Sequence, residues 1–269
     1  METQDLGRVI YEKEESGVAR LVMNWPEKAN LQDHDMVWAF DKALGLAEYD
    51  YDVKVLIIKS NAKGFCAGHV ATGEYPEFDE NRKRTGTTWQ GHTKLFLHPM
   101  LRLWEFPKPT IAQVHGYAAG GGSYWALLPD LTVCSEDAWF QMPHAYLMGL
   151  PGAETMIEPW VFMNYKRAAE YLYLRRKLTA RQALELGIVN EVVPREQLEE
   201  TVEQWAAEIA MCPVTTLTAC KLLIKRAWEL MGFRVHQQWS ADMTTTVAAH
   251  SDFRAHLAEM MKKTGGRSE

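Results

Sequence analysis

The residues best suited to chemistry in this sequence are glycines. Lys63-Gly64-Phe65-Cys66-Ala67-Gly68-His69 follows one apolar run, and His115-Gly116-Tyr117-Ala118-Ala119-Gly120-Gly121-Gly122 follows another. Consecutive glycines leave backbone N–H groups uncovered by side chains, and a helix that starts on them adds partial positive charge, which favours a developing anion. Taken alone, either loop is equally an ordinary tight turn from a strand into a helix. Neither has the GxGxxG or GK[ST] spacing of a nucleotide cradle. Cys66, Cys134, Cys212 and Cys220 form no CxxC pair and have no histidine at metal spacing. That argues against both a zinc site and a disulfide framework and fits a reducing cytoplasm.

The elements that must position these loops alternate. Val18–Met23 and Val53–Ile58 read as strands around a helical pattern from about Asp33 to Glu48, and Thr110–Val114 and Leu131–Cys134 read as strands around a helix from Gly121 to Leu128. Strand–helix–strand order implies crossover units on a largely parallel sheet, with loops at the strand ends free for chemistry. Thr179 with Gln182 matches a capping box, and that short helix closes on Gly187. After Pro194 the pattern turns helical throughout: Arg195–Met211, Val214–Met231 and His236–Lys263, interrupted at Pro213 and Gly232. The expected organisation is a core over residues 1–194 and a helical region over 195–269. Glu74–Thr87 is polar enough to suggest a mobile loop.

At 269 residues and 47% hydrophobic content, the chain can build one large α/β core. A formal charge of -6 argues against a nucleic-acid partner. The basic knots Arg82-Lys83-Arg84 and Arg175-Arg176-Lys177 read as solvated faces. The charged N-terminus and the lack of a long apolar run lead us to expect neither export nor a membrane span.

Four phrases, KGFCAGH, KPTIAQVHGYAAGGG, DLTVCSEDAWFQMPHAYLMGLPG and KLTARQALELGIVNEVVP, occur in an order and at separations that resemble the crotonase (enoyl-CoA hydratase/isomerase) superfamily. The resemblance runs from about Val18 to Lys225. It implies an α/β fold, a spiral of β-β-α units with a helical C-terminal region that closes the pocket and takes part in assembly as a homotrimer or dimer of trimers. It implies an acyl-CoA substrate and no separate cofactor, coenzyme A being part of the substrate. It also implies an oxyanion hole made by the amides of His69 and Gly121, with Ala67, Gly68 and Gly120 as neighbouring CoA-contacting positions. Two preorganised amides suit the negative charge that enolisation places on a thioester oxygen.

The two glutamates of family hydratases fall, by position, on Tyr124 and His144. A tyrosine with pKa near ~10 donates a hydrogen bond but is a poor base at neutral pH, whereas an imidazole near ~6.5 works as a base. The two-carboxylate mechanism therefore does not carry over. A related branch that hydrolyses carbon–carbon bonds in cyclic diketones also places a histidine here with an aspartate downstream, which makes Glu154 a candidate to orient His144. The usual aspartate after the first loop is Val70. Glu74, Tyr75, His92, Glu105 and Glu158 are weaker candidates, read as surface or structural. The tryptophans, among them Trp89, Trp104, Trp125, Trp139 and Trp160, suit a bulky acyl pocket or simply a core. Three functions follow: an altered hydratase or isomerase, a carbon–carbon hydrolase acting through His144, or a noncatalytic CoA-ligand binder.

Overall fold

The computed structural model describes residues 1–70, 85–151 and 155–264. Its main sheet has seven strands in the order β1-β2-β3-β4-β5-β7-β10. β1 (Glu2–Asp5), β2 (Val9–Lys13) and β3 (Val18–Met23) pair antiparallel; β4 (Val55–Ser60), β5 (Thr110–Val114), β7 (Leu131–Ser135) and β10 (Glu191–Val193) continue in parallel from β3. A second sheet of three short strands joins β6 (Tyr117–Ala119), β8 (Trp139–Gln141) and β9 (Leu178–Thr179). The β-β-α unit is visible twice. β5 lies in the large sheet and β6 in the small one before the Gly121–Leu127 helix; β7 and β8 repeat the move before the His144–Leu147 helix.

The run Val55-Leu56-Ile57-Ile58 is continuous rather than alternating because both faces of β4 are covered. Leu56 and Ile58 face the larger core with Phe40, Trp125 and Phe140, while Val55 and Ile57 face Val202 and Ala206 of the Leu198–Ala210 helix. That helix packs on the sheet, so the division at residue 194 marks a change of pattern and not a break in packing. Farther along, Lys221 of the Val214–Leu230 helix reaches Asp130 Oδ2 at 2.7 Å and donates to the Lys108 carbonyl at 2.7 Å. Asp130 also accepts from the Thr110 N–H and hydroxyl, tying the starts of β5 and β7 to the helical region.

Two expectations need correction. His236–Lys263 is two helices, Phe233–Ala248 and Ser251–Thr264. Ala249 and His250 bond three residues back, to Thr246 and Val247, which tightens and ends the first helix before Ser251-Asp252 starts the next. The N-terminal strands β1 and β2 carry too little apolar signal, with only Val9 and Tyr11 buried. Of the polar segment Glu74–Thr87, residues through Arg84 lie outside the described residues, and Thr85 opens a helix.

Phe40 and Trp125 stack with centroids 4.0 Å apart, at 2% and 0% exposure, and join the His34–Tyr49 helix to the helix that begins at the triple glycine. Phe40→Ala is expected to cost about 3–5 kcal/mol of stability. Urea denaturation measures this, and a loss below about 1 kcal/mol would show that the surrounding core collapses into the space.

Candidate active site at two glycine loops

The first glycine loop leaves β4 and is braced by Asn30. This residue is fully buried; its amide nitrogen donates to Ser60 Oγ (2.7 Å) and the Phe65 carbonyl (3.1 Å), and its Oδ1 accepts from the Trp25 N–H (2.8 Å). Ala29 and Asn30 adopt φ of 55° and 53°, a left-handed conformation uncommon for non-glycine residues. The loop then runs between two partners. On one side Gln32 N–H donates to the Gly68 carbonyl and accepts, at its own carbonyl, the Val70 N–H. On the other side Cys66 pairs with β6 through Cys66 N–H to Tyr117 O (3.1 Å) and Ala119 N–H to Cys66 O (3.0 Å).

Because Gly68 and Val70 make both bonds to Gln32, the parallel pairing directs the His69 N–H away from Gln32, to the side where β6 and the second loop lie. The second loop turns at Gly120, whose φ of 53° and ψ of -130° favour glycine and whose N–H donates to Gln141 O at 2.8 Å. Gly121 opens the helix, where first-turn amides have no carbonyl within the helix to bond. A Cβ on Gly68 would stand 3.1 Å from the Gly121 nitrogen and 2.6 Å from the Ala119 carbonyl. The two loops therefore meet main chain to main chain.

Side chains converge on the same turn. The His69 ring lies where a Gly121 Cβ would be, 2.5 Å from it, and is met edge-on by Phe96 with centroids 4.7 Å apart. Phe96 is delivered by a π-helical segment, Thr93–Leu97, inside an otherwise α-helical stretch. His144, first residue of its short helix and half-buried, brings Cε1 to 3.2 Å from the Cβ position of Gly120. Ala67 sits at the loop's inner edge with its N–H on the Ala29 carbonyl. Tyr124 stands one turn past the glycines, 1% exposed, with its hydroxyl at Glu158 Oε1 (3.4 Å) and Met142 Sδ (3.9 Å). Glu154 lies outside the described residues, as do Glu74 and Tyr75. Burial pushes the Cys66 thiol up to about 12, which removes it as a nucleophile.

A family model described as enoyl-CoA hydratase/isomerase matches residues 13–264. The chain belongs to the enoyl-CoA hydratase/isomerase family. Among similar solved structures is a probable enoyl-CoA hydratase from Mycobacterium smegmatis, at 30% identity over 96% of this chain and 97% of that one, with a TM-score of 0.83. Another, from Mycobacterium thermoresistibile, shares 29% identity over 96% and 97% of the two chains, TM-score 0.83. An enoyl-CoA hydratase/isomerase from Xanthobacter autotrophicus Py2 shares 26% over 96% and 99%, TM-score 0.82. These matches establish the crotonase-type fold and the family of the chain.

Within this enoyl-CoA hydratase/isomerase chain, Glu158, a weaker candidate in the sequence, lies in the core. It is 2% exposed and beside Tyr124, and burial raises its carboxyl to about 7 against the lowering effect of the Ile157 and Glu158 backbone and the Tyr124 hydroxyl. A carboxylate alone among Met156, Ile157, Pro159 and Trp160 was the available signal. Trp125 is core, while Trp104 and Trp160 line a cavity of about 570 Å³ against the Val214–Leu230 helix, apart from the glycine turn. No group of three or more potential metal ligands occurs among the described residues.

A Cβ on Gly122 would meet the Cys66 carbonyl oxygen at 2.4 Å and its carbon at 2.8 Å, and neither can retreat without parting the loops. Gly122→Ala is expected to cost about 1–3 kcal/mol and to abolish ligand binding. Gly45→Ala, in the His34–Tyr49 helix with nothing within 4 Å, is expected to stabilise by about 0.5–1 kcal/mol. Paired thermal melts check the opposite signs.

Proposed function

We propose that the protein is an acyl-CoA enzyme that holds the thioester oxygen of its substrate between the N–H groups of His69 and Gly121, stabilises the enolate there, and moves protons with His144. The observation that carries this reading is the convergence at one turn of a backbone loop directed towards a helix N-terminus and of two imidazoles, His69 and His144. Fixed amides stabilise a developing oxyanion without reorganising, each worth roughly 3 kcal/mol when removed. The solved structures from Mycobacterium that resemble this chain carry the name enoyl-CoA hydratase, and that substrate class is adopted here. Ala67, Gly68 and Gly120 form the walls that the coenzyme end of the substrate would touch. The reading needs no metal or redox cofactor and is set in a reducing cytoplasm.

With Tyr124 and His144 at the positions of the family's two glutamates, the proton chemistry passes from carboxylates to an imidazole. Hydration and isomerisation both fit that change. The same imidazole supports a second reading, hydrolysis of a carbon–carbon bond in a cyclic diketone, in which His144 activates water. His144→Ala is expected to lower turnover by roughly 10² to 10⁴ while leaving acyl-CoA affinity unchanged. Steady-state assays on enoyl-CoA and cyclic β-diketone substrates, with calorimetry on the same acyl-CoA series, decide among the readings. Turnover of the diketone alone would favour the hydrolase, binding without turnover a ligand-binding protein, and an unchanged rate in His144→Ala would make the histidine a bystander.

Assembly belongs to the same proposal. Leu222, Leu223, Ile224, Leu230, Met231 and Trp239 are exposed on the last helices, a density of apolar side chains that monomers rarely leave uncovered. A trimer or dimer of trimers closed by rotation would cover this face. Light scattering should give about three or six times the 30.7 kDa chain mass. A stable mass at one chain would overturn the assembly.

A further inference from the structure

We propose that Glu158 is the positioning carboxylate of the site, holding the Tyr124 hydroxyl and passing protons through it, so that a carboxyl group takes part in the reaction one side chain removed from the substrate. This rests on the functional reading above, in which Tyr124 and His144 stand at the positions of the family's two glutamates.

The placement comes from three elements. Tyr124 lies on the Gly121–Leu127 helix, three residues past Gly121 and so on the same face as the glycine turn, with its ring leaning back over the first helical turn. Its hydroxyl contacts Met142 Sδ, two residues before His144, and Oε1 of Glu158. Glu158 arrives from the Glu158–Phe162 helix, and its second oxygen, Oε2, is buried with no hydrogen-bond partner among the described residues. The Tyr124–Glu158 separation of 3.4 Å exceeds that of an ordinary hydroxyl hydrogen bond, and such contacts commonly tighten when substrate is bound. Burial first, and the charge of Glu158 second, hold the ionisation of Tyr171 on the Tyr165–Leu174 helix well above its usual value.

Glu158 opens its helix, where the Ile157 and Glu158 backbone favours the charged carboxylate, yet burial outweighs that effect. Facing Glu158 are two neutral phenols, Tyr124 and Tyr171, and no charged side chain is among the groups acting on it from the described residues. A buried carboxylate that no cation among the described residues faces is costly, and a glutamine of the same shape would avoid the cost. With its carboxyl raised to about 7, both protonation states are accessible near neutrality, the condition for efficient proton transfer.

The step balances as follows. As the enolate collapses, the Tyr124 O–H bond breaks and its proton forms a C–H bond at the substrate's α carbon. The Glu158 O–H bond breaks in concert, restoring the phenol and leaving a carboxylate. The proton that His144 has taken from water or substrate is released to solvent as product leaves, and Glu158 is reprotonated through the Tyr124 hydroxyl, which takes up a proton in turn, so the site is reset with no net change.

The test is Glu158→Gln, which keeps shape and removes titration, with Glu158→Asp as the conservative variant. Glu158→Gln should lower kcat by about 10²-fold with KM for acyl-CoA and assembly unchanged, and should lose the fall in activity as pH rises through about 7. Glu158→Asp should restore part of both. A second readout needs no substrate. Because the folded-state carboxyl lies above its unfolded value, the wild type should lose stability relative to Glu158→Gln as pH rises from about 4.5 to about 7. Tyr124→Phe, by removing a bond that lowers this carboxyl, should move the upper end of that window to higher pH. A wild type that neither binds nor turns over any acyl-CoA overturns the functional reading and this proposal with it. An active wild type with an equally active Glu158→Gln, or a Tyr124→Phe variant whose stability window does not move, overturns this proposal alone.

Discussion

The approach of two main chains across Gly68 and Gly122 is the constraint on which the rest of the site depends. At Gly122 a single methyl group would lie 2.4 Å from the Cys66 carbonyl oxygen, and at Gly68 it would lie 2.6 Å from that of Ala119. Backbone amides serve as oxyanion donors only when no side chain screens them and when both belong to rigid elements. For the proposed Gly121 donor, the glycine carries no side chain of its own, and the His69 ring and Gln32 Oε1 occupy the space where one would be. The second condition is met by the pairing of Cys66 with β6 and of Gly68 and Val70 with Gln32, which makes the loop a short strand between two neighbours.

Holding that loop requires strain elsewhere. Ala29 and Asn30 both take left-handed backbone conformations, which cost of order 1–3 kcal/mol each for non-glycine residues. Three side-chain hydrogen bonds from buried Asn30 offset this, each worth about 1 kcal/mol net. Their loss would weigh more than their presence, because the Trp25 N–H and Phe65 carbonyl would be left buried without partners. The Asn30 carbonyl also accepts the Cys66 thiol, at 3.0 Å, so the residue braces the loop from both its side chain and its main chain.

Much of this was legible before any coordinates. Thr110–Val114 is a strand with the bounds its apolar run marks, the Thr179–Gln182 capping box forms with both bonds in place, and Gly121 begins the helix that three glycines announce. These are local signals, set by period, cap chemistry and turn chemistry. What was not legible is what depends on distant partners. β6, β8 and β9 have two or three residues each, too few for a period, and exist because the β-β-α turns bring them side by side. Gln32 shows no motif, yet it edges the first loop through its main chain and reaches the second with its side chain. Glu158 lies 34 residues from Tyr124 along the chain, and only the fold shows that this carboxylate, first in its helix, is buried against that phenol.

The electrostatic consequence is a division of labour between depth and surface. In water a carboxylic acid and an imidazole differ by about two pKa units, and a glutamate cannot hold a proton at neutral pH. Burial without a cation removes that difference for Glu158, lifting it to about 7, close to the reference value of a free imidazole. A reaction that takes a proton from one atom and gives one to another needs an acceptor and a donor of comparable strength at one pH. Family hydratases use two carboxylates; under the proposed function the half-buried His144 imidazole and a core carboxyl acting through a phenol would meet the same requirement. Under the proposed function, the chemistry moves from glutamates to Tyr124 and His144 without moving the amides, because the donors belong to the backbone of the two glycine loops and the acid and base to side chains.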